Sequence, residues 1–319
     1  MQKFSPKLKI FLCSGLILTA IAIILFTVSM FTVYDSGPNY FNRSIIVSVA
    51  TAISVISLLI FLCVFLFIPK GALDGGTPRT TPVTVSSVLC ALVFAAVGII
   101  LILCSIGSLS FFTGIKRGAL SSICGICCIA CAVYFIANCL VAPDENNVKH
   151  TLSGFFLPIS TTLLIAISYF DHSVSMNAPI KAMFHLSSIS FMIWILYELR
   201  AMIGKQMPRA YFASGLCTML LSGIASLPYI VYAIGGGLGD PVYPTYIIYN
   251  VVSFAIFVYS TVRIIIFVCA RDLLERISDQ TADIEYEYED IAESPADDPV
   301  ESETEKSNAE CEENENDEA

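Results

Sequence analysis

The fourth of several long apolar runs carries the densest set of reactive side chains in this sequence. Its thiols recur at spacings of three and four residues and lie at Cys124, Cys127, Cys128 and Cys131. This spacing places them on one stripe of a helix, and in a soluble chain it would indicate zinc or redox chemistry. A single straight helix cannot arrange four thiolates tetrahedrally around one ion. We therefore interpret the stripe as a packing face of small residues, and keep metal or thiol chemistry as the alternative.

Two aspartates suggest a second kind of chemistry. Tyr34-Asp35 and Gly237-Leu238-Gly239-Asp240 resemble the Tyr-Asp and Gly-x-Gly-Asp elements of intramembrane aspartyl proteases, in which two carboxylates share a proton to activate water. Here both aspartates fall in predicted loops, only one apolar run follows Asp240, and the Pro-Ala-Leu element of that family is absent. The glycine-rich segment is better explained as a turn, and an Asp35/Asp240 pair is the weaker enzymatic alternative.

The last apolar run carries a polar stripe of Tyr246, Tyr249, Asn250 and Ser253, which must face protein or a cavity rather than lipid. A helix-packing interface and a solute path explain it equally well. His185, in the sixth run, is an intramembrane group that titrates near neutral pH. Two prolines, Pro158 and Pro228, could break the fifth and seventh helices, as substrate sites of transporters often require, although ordinary membrane helices also tolerate proline.

The elements that must position these side chains are membrane-spanning helices. The chain is 56% hydrophobic and 14% charged, whereas soluble proteins are roughly 45–50% apolar and about 25% charged. A helix needs roughly 20 apolar residues to cross a bilayer, and lipid offers no partner for an unpaired backbone amide. We predict eight spans, at residues 10–33, 44–68, 83–112, 118–141, 152–170, 183–199, 211–234 and 246–269.

The cations of the loops indicate an orientation, because cytoplasmic loops are enriched in Lys and Arg. With a cytoplasmic N-terminus, the external set is Arg43, Lys116, Arg117 and Lys181. The cytoplasmic set is larger and supports both termini in the cytoplasm: Lys3, Lys7, Lys9, Lys70, Arg79, Lys149, Arg200, Lys205, Arg209, Arg271 and Arg276.

The formal net charge of −10 averages two unlike regions. Residues 1–271 hold 15 Lys and Arg against 7 Asp and Glu, and form the predicted transmembrane domain. Residues 272–319 hold 2 Lys and Arg against 20 Asp and Glu. This segment lacks the apolar area that would offset the entropy of ordering, so we predict a disordered acidic cytoplasmic tail. The tail could meet a basic partner or the chain's own basic loop, formed by Arg200, Lys205 and Arg209.

One stretch, Glu198-Leu-Arg200, then Gly204, then Pro208-Arg209-Ala-Tyr211, resembles a segment of uncharacterised multi-span membrane proteins of clostridia-like Gram-positive bacteria. The resemblance covers the sixth and seventh spans and implies a bacterial plasma membrane, but no activity. Read physically, Glu198 is expected to neutralise Arg263 in a structural ion pair at the inner boundary of the bundle. The other acidic residues of the body are expected in loops or at span ends.

These observations predict an all-α integral membrane protein, an eight-helix bundle with both ends in the cytoplasm. We expect a non-enzymatic protein that transports a solute, senses, or acts as a membrane scaffold. The alternative is a membrane-embedded enzyme or metal protein that uses the cysteine stripe or the aspartate pair. Phosphate-binding loops, zinc-binding His-Glu-x-x-His elements and nucleophile elbows are absent from the sequence. We expect no cofactor and no nucleic-acid partner.

Overall fold

The protein is a helical bundle, and the prediction of eight spans is confirmed: among the described residues, eight helices are long and apolar enough to cross a membrane. The structure, a computed structural model, describes residues 5–35, 40–67, 80–109, 118–140, 148–171, 175, 178–205, 207–236 and 243–292. Side chains are described as far as Ala270.

Four of the spans lie in the first half of the chain. The helices here are α1 Ser5–Thr32, α2 Ile45–Leu62, α3 Val64–Phe67, α4 Thr81–Ser105 and α5 Ala119–Leu140. Ser44 is the N-cap of α2, its hydroxyl accepting a bond from the Ile46 amide. Helices α2 and α4 end earlier than the predicted 68 and 112, because the chain turns at Cys63 and at Gly107, whose φ is 78°.

The second half begins with a span made of two helices. Its helices are α6 Val148–Gly154, α7 Phe156–Phe170, α8 Pro179–Met202, α9 Pro208–Ile234 and α10 Tyr243–Ala292. The fifth span breaks at Phe155, between α6 and α7. Pro158 lies in the first turn of α7, where a missing amide hydrogen costs nothing. Helix α9 continues through Pro228, so the suggested break there does not occur.

Helix α10 lies among several others. It contacts α4 through Cys90 and Ala255, α5 through Phe135, and α9 through Phe212. The other spans follow one another around it, since α4 packs on α5, α5 on α7, α7 on α8 and α8 on α9. Helices α1 and α2 lie beyond α9. The helix with the largest buried share is α9, with 72% of its apolar window buried, and its neighbours are therefore protein rather than lipid.

The closest approach of two helices is between α4 and α5, at Gly98 and Gly125. A Cβ added to Gly98 would lie 2.7 Å from the Gly125 carbonyl oxygen, and a Cβ on Gly125 equally close to the Gly98 oxygen. Small residues allow backbones to approach in this way within a membrane. The two helices are therefore held by backbone-level packing.

A short hairpin follows α1. Strand β1, Tyr34–Asp35, pairs antiparallel with β2, Tyr40–Phe41. The Tyr34 ring contacts Phe41, Tyr229 and Tyr232 at centroid distances of 5.4–6.4 Å. This group of aromatic rings ties the hairpin to the C-terminal end of α9. Aromatic residues are enriched where a membrane protein meets the interface.

Contacts divide the chain after Glu275 into two units, and the bundle belongs to the first. Helix α10 extends to Ala292, so helix covers the first part of the predicted tail. The predicted disorder of residues 293–319 falls outside the described residues.

Candidate functional site

Helices α8 and α10 run parallel and in a constant register. Phe184 contacts Tyr249 with ring centroids 4.6 Å apart, Trp194 contacts Tyr259 at 5.7 Å, and Glu198 pairs with Arg263. Each pair is 65 residues apart. Two helices whose contacts keep one sequence offset along their length must point the same way. The register therefore places further residues level with one another: Lys181 with Tyr246, His185 with Asn250, and Ser188 with Ser253.

One end of this interface holds the buried ion pair. Both side chains are at least nine-tenths buried. The Arg263 Nε donates to Glu198 Oε1 at 3.1 Å, Nη2 donates to the same oxygen, and the Tyr259 hydroxyl donates to it at 2.8 Å. Among the described residues, Glu198 Oε2 is buried and has no hydrogen-bond partner. The carboxylate thus has one crowded oxygen and one open one.

Aromatic rings surround the pair. The Arg263 guanidinium carbon lies 5.7 Å from the centroid of the Tyr259 ring, a cation–π geometry. Trp194 lies between Tyr259 and Tyr211, and Phe135 meets the Tyr259 ring edge-on at 5.2 Å. Low polarity around an ion pair strengthens its attraction and raises the cost of separating it.

A half-buried histidine lies next to this cluster. His150, in α6, stacks on Tyr134 of α5 at 5.1 Å with the rings 8° from parallel. Its Nε2 is 2.7 Å from the Asn138 Oδ1. Tyr134 and His150 both lie within electrostatic reach of Glu198, as does Cys90 of α4. We call Glu198, Arg263, Tyr259, Tyr134 and His150 the Glu198 cluster.

The opposite end of α8 holds a second charged group, about 26 Å away at roughly 1.5 Å rise per residue. Lys181, in the first turn of α8, is buried, and its ammonium donates to the backbone carbonyl of Asp171 at the end of α7. The Asp171 carboxylate is also buried, and Lys181, Tyr246 and Tyr249 lie within its electrostatic reach. The prediction that Lys181 lies in a loop is therefore wrong. We call Asp171, Lys181, Tyr246 and Tyr249 the Asp171 cluster.

Buried polar groups also occur on α8 and α10 at heights between the two clusters. The Tyr249 hydroxyl lies near Ser168 of α7. In the described part of the chain, several other polar atoms are buried without a hydrogen-bond partner: His185 Nε2, Ser187 Oγ, Ser188 Oγ, Trp194 Nε1, Tyr246 OH, Asn250 Nδ2 and Ser253 Oγ. Native proteins pair more than nine in ten buried polar groups, so such a row requires an explanation.

The buried hydroxyls of α9 provide the contrast. Ser214, Thr218, Ser222 and Ser226 each donate to the carbonyl one turn earlier, at 2.5–2.8 Å. Packing alone therefore allows a serine in this bundle to satisfy its hydroxyl within its own helix. The hydroxyls of Ser187, Ser188 and Ser253 do not use that solution, whereas Ser260 of α10 does, donating to the Phe257 carbonyl oxygen at 3.1 Å.

The thiols of α5 point at different neighbours. Cys131 Sγ is 3.0 Å from Ser160 Oγ and Cys124 Sγ is 3.9 Å from the Ser160 carbonyl oxygen, both on α7. Cys139 Sγ is 3.7 Å from the Thr84 carbonyl oxygen of α4. The described residues contain no group of three or more Cys, His, Asp or Glu arranged to hold a metal ion. These contacts support the packing interpretation of the stripe, including Cys127 and Cys128, which are buried.

The remaining candidates are not brought together. Asp35 is exposed on β1, and Asp240 lies outside the described residues, so their pairing stays a prediction. In the basic loop, Gly204 at φ 75° ends α8, and Arg200 Nε donates to the Lys205 carbonyl oxygen at 3.0 Å. Both cations are exposed there, and a contact with the tail stays a prediction.

The sequence indicates the polar stripe on α10 but not the polar residues of α8 that lie level with it. Glu198 lies near the end of α8, as the sequence predicts, and its burial was not foreseen. Asp171, Lys181 and Ser188 were missed as site residues. The signal that could have found Lys181 and Ser188 is their spacing on α8, because the polar residues there recur at the same intervals as those on α10, whereas no pattern in the sequence indicated Asp171 at the end of α7.

No family model, no curated protein and no solved structure matches this chain.

Proposed function

We propose that this multi-pass membrane protein is a non-enzymatic carrier, and that a small polar solute moves along the interface of α8 and α10. The observation that carries the proposal is the set of buried polar atoms on α8 and α10 that have no hydrogen-bond partner among the described residues and lie at heights from the Asp171 cluster to the Glu198 cluster. Charged residues inside a membrane bundle commonly mark solute and ion pathways.

The energetic argument compares this interface with an ordinary packing contact. Burying a hydroxyl or amide without a partner costs about 1–3 kcal/mol by protein mutational measures. The seven atoms in the row together would offset most of the stability of a typical fold, about 5–15 kcal/mol. Water or a polar solute between the helices removes this cost, whereas tighter packing of the same residues does not.

The orientation follows from parity and charge. Eight crossings put both ends of the spanning region on one side, and the loop cations favour the cytoplasm for that side. With this orientation the Asp171 cluster faces outward and the Glu198 cluster inward. We propose a plasma membrane, and a bacterial one from the resemblance of the sixth and seventh spans.

The experiment measures whether the interface admits water. Ser188→Cys and Ser253→Cys are each exposed in membrane vesicles to a small charged methanethiosulfonate reagent, and labelling is resolved by peptide mass spectrometry so that native thiols do not interfere. Ser222→Cys on α9 is the matched control, since Ser222 is equally buried but bonded within its helix. Thiol reactivity requires access to the reagent, so we expect at least roughly tenfold faster labelling on the interface.

A second control tests the lipid-facing surface. Ile189, on the exposed side of α8, replaced by Cys should resist the charged reagent because lipid excludes it. Labelling of Ser188→Cys and Ser253→Cys no faster than that of Ser222→Cys would mean a dry interface. The result would contradict a carrier and favour a scaffold.

A further inference from the structure

We infer that the Glu198–Arg263 pair is a proton-dependent carboxylate site. Protonation of Glu198 frees the Arg263 guanidinium, which then binds the carboxylate of a small organic acid. The inference rests on the proposed function and gives its solute a chemical class, an organic anion taken up together with one proton.

The geometry of Glu198 provides a place for the proton. Three donors from Arg263 and Tyr259 converge on Oε1, while Oε2 is buried and open among the described residues. A neutral carboxylic acid needs one oxygen to carry hydrogen and one to accept. Oε2 can take the proton with no bond broken at that atom, and the loss of negative charge weakens the bonds at Oε1.

The charge balance couples the proton to the solute. The resting pair holds one negative and one positive charge, and a proton from solvent leaves the guanidinium as the uncompensated charge. A buried cation without a partner is strongly unfavourable. An incoming carboxylate restores neutrality and matches the planar fork of arginine with two parallel bonds. Release of the proton returns Glu198 to Arg263 and displaces the solute.

The aromatic rings around Arg263 hold the guanidinium while one carboxylate replaces the other, and they determine which solutes fit. Tyr259 lies in cation–π contact with the guanidinium and holds it while the carboxylate partner changes. The same wall contains Trp194, Tyr211 and Phe267, with Tyr211 and Phe267 at 5.2 Å. An apolar or aromatic body attached to the carboxylate fits this wall better than a polar one.

Other ionisable groups lie within electrostatic reach of Glu198, and their protonation must be distinguished from that of Glu198. They are Arg263 and Tyr259 on α10, Tyr134 on α5, His150 on α6 and Cys90 on α4, with Tyr211 of α9 beside Arg263. Of these, His150 alone ordinarily titrates between mildly acidic and neutral pH. A variant at His150 therefore distinguishes its proton from that of Glu198.

Binding of benzoate to the purified full chain, measured by calorimetry at mildly acidic and mildly alkaline pH, tests the inference. Wild type should bind benzoate at least about tenfold more tightly at the acidic pH, a difference worth about 1.4 kcal/mol. Glu198→Gln, which imitates the protonated acid, should bind equally at both. Arg263→Gln should lose benzoate binding, and His150→Gln should keep the pH dependence of the benzoate affinity. Benzylamine, the matched cation, should not bind to the wild type.

A second measurement needs only the wild type. Benzoate added to weakly buffered protein at mildly acidic pH should raise the pH by an amount equal to one proton taken up per benzoate bound. Benzoate binding without proton uptake, binding that survives Arg263→Gln, or no benzoate binding at all would each overturn the inference. These results do not depend on the labelling of Ser188→Cys and Ser253→Cys, so an accessible interface without benzoate binding would leave the carrier proposal intact.

Discussion

Two helix pairs in this bundle solve the problem of association in lipid in opposite ways. Helices α4 and α5 meet at Gly98 and Gly125, backbone against backbone, with small thiol-bearing side chains beside the crossing. Helices α8 and α10 meet through tyrosine, tryptophan and a buried ion pair. The first arrangement gives close packing and leaves no room for a solute. The second accepts charged and unpaired groups, which a purely structural interface would avoid, and this difference supports α8 and α10 as the proposed site of function.

The largest effect is expected from breaking the ion pair on one side only. Glu198→Leu leaves Arg263 buried without its carboxylate, which should destabilise the protein by about 3–5 kcal/mol. The double variant Glu198→Leu/Arg263→Leu removes both charges and should recover most of that loss. Unfolding by sodium dodecyl sulfate in mixed micelles measures both. A double variant as unstable as the single one would show that the charges are not paired in the folded protein.

A smaller effect is expected at the α4–α5 crossing. Gly98→Ala places a Cβ 2.7 Å from the Gly125 oxygen, so the helices must separate. Overpacking of this kind costs about 1–3 kcal/mol, which outweighs the higher helix propensity of alanine, about 1 kcal/mol. Gly118→Ala is the matched control, because nothing lies within 4 Å of its added Cβ. Equal stability of Gly98→Ala and Gly118→Ala would show that α4 and α5 do not approach this closely at Gly98.

The smallest effect is expected on the cysteine stripe. Cys131→Ser keeps a group able to bond the Ser160 hydroxyl, so the free energy of unfolding should change by less than about 1 kcal/mol. Metal content is measured on the same samples, and on a variant with serine at Cys124, Cys127, Cys128 and Cys131. We expect it to be equal to that of the wild type. Loss of bound metal in that variant would reverse the comparison and give α5 a chemical role.

Much of the architecture was accessible from the sequence because lipid restricts a chain to few conformations. Apolar runs of about 20 residues predict helices regardless of their neighbours, and the observed span ends differ from the predicted ones mainly where a turn at Cys63 or Gly107 stops a helix within an apolar run. The polar stripe of α10 was visible for the same reason, since its spacing is local.

The register of α8 against α10 was not accessible. The constant offset between the helices arises from the intervening helix and turns, which set the height of α8 relative to α10, and no local pattern encodes it. For this reason the sequence places Lys181 in a loop and Glu198 at the inner boundary of the bundle. It does not predict that both side chains are buried. The cysteine stripe shows the same limit, because its regular spacing did not reveal that Cys124 and Cys131 both contact Ser160 of α7.

An electron cryomicroscopy map of the purified protein, at a resolution that shows ordered water, tests the polar interface most directly. We predict water density between Ser188 and Ser253, and at the open oxygen of Glu198. A map in which these hydroxyls bond to carbonyls of their own helices, as Ser222 does, with continuous side-chain packing from Tyr249 to Arg263, would contradict a solute path between α8 and α10.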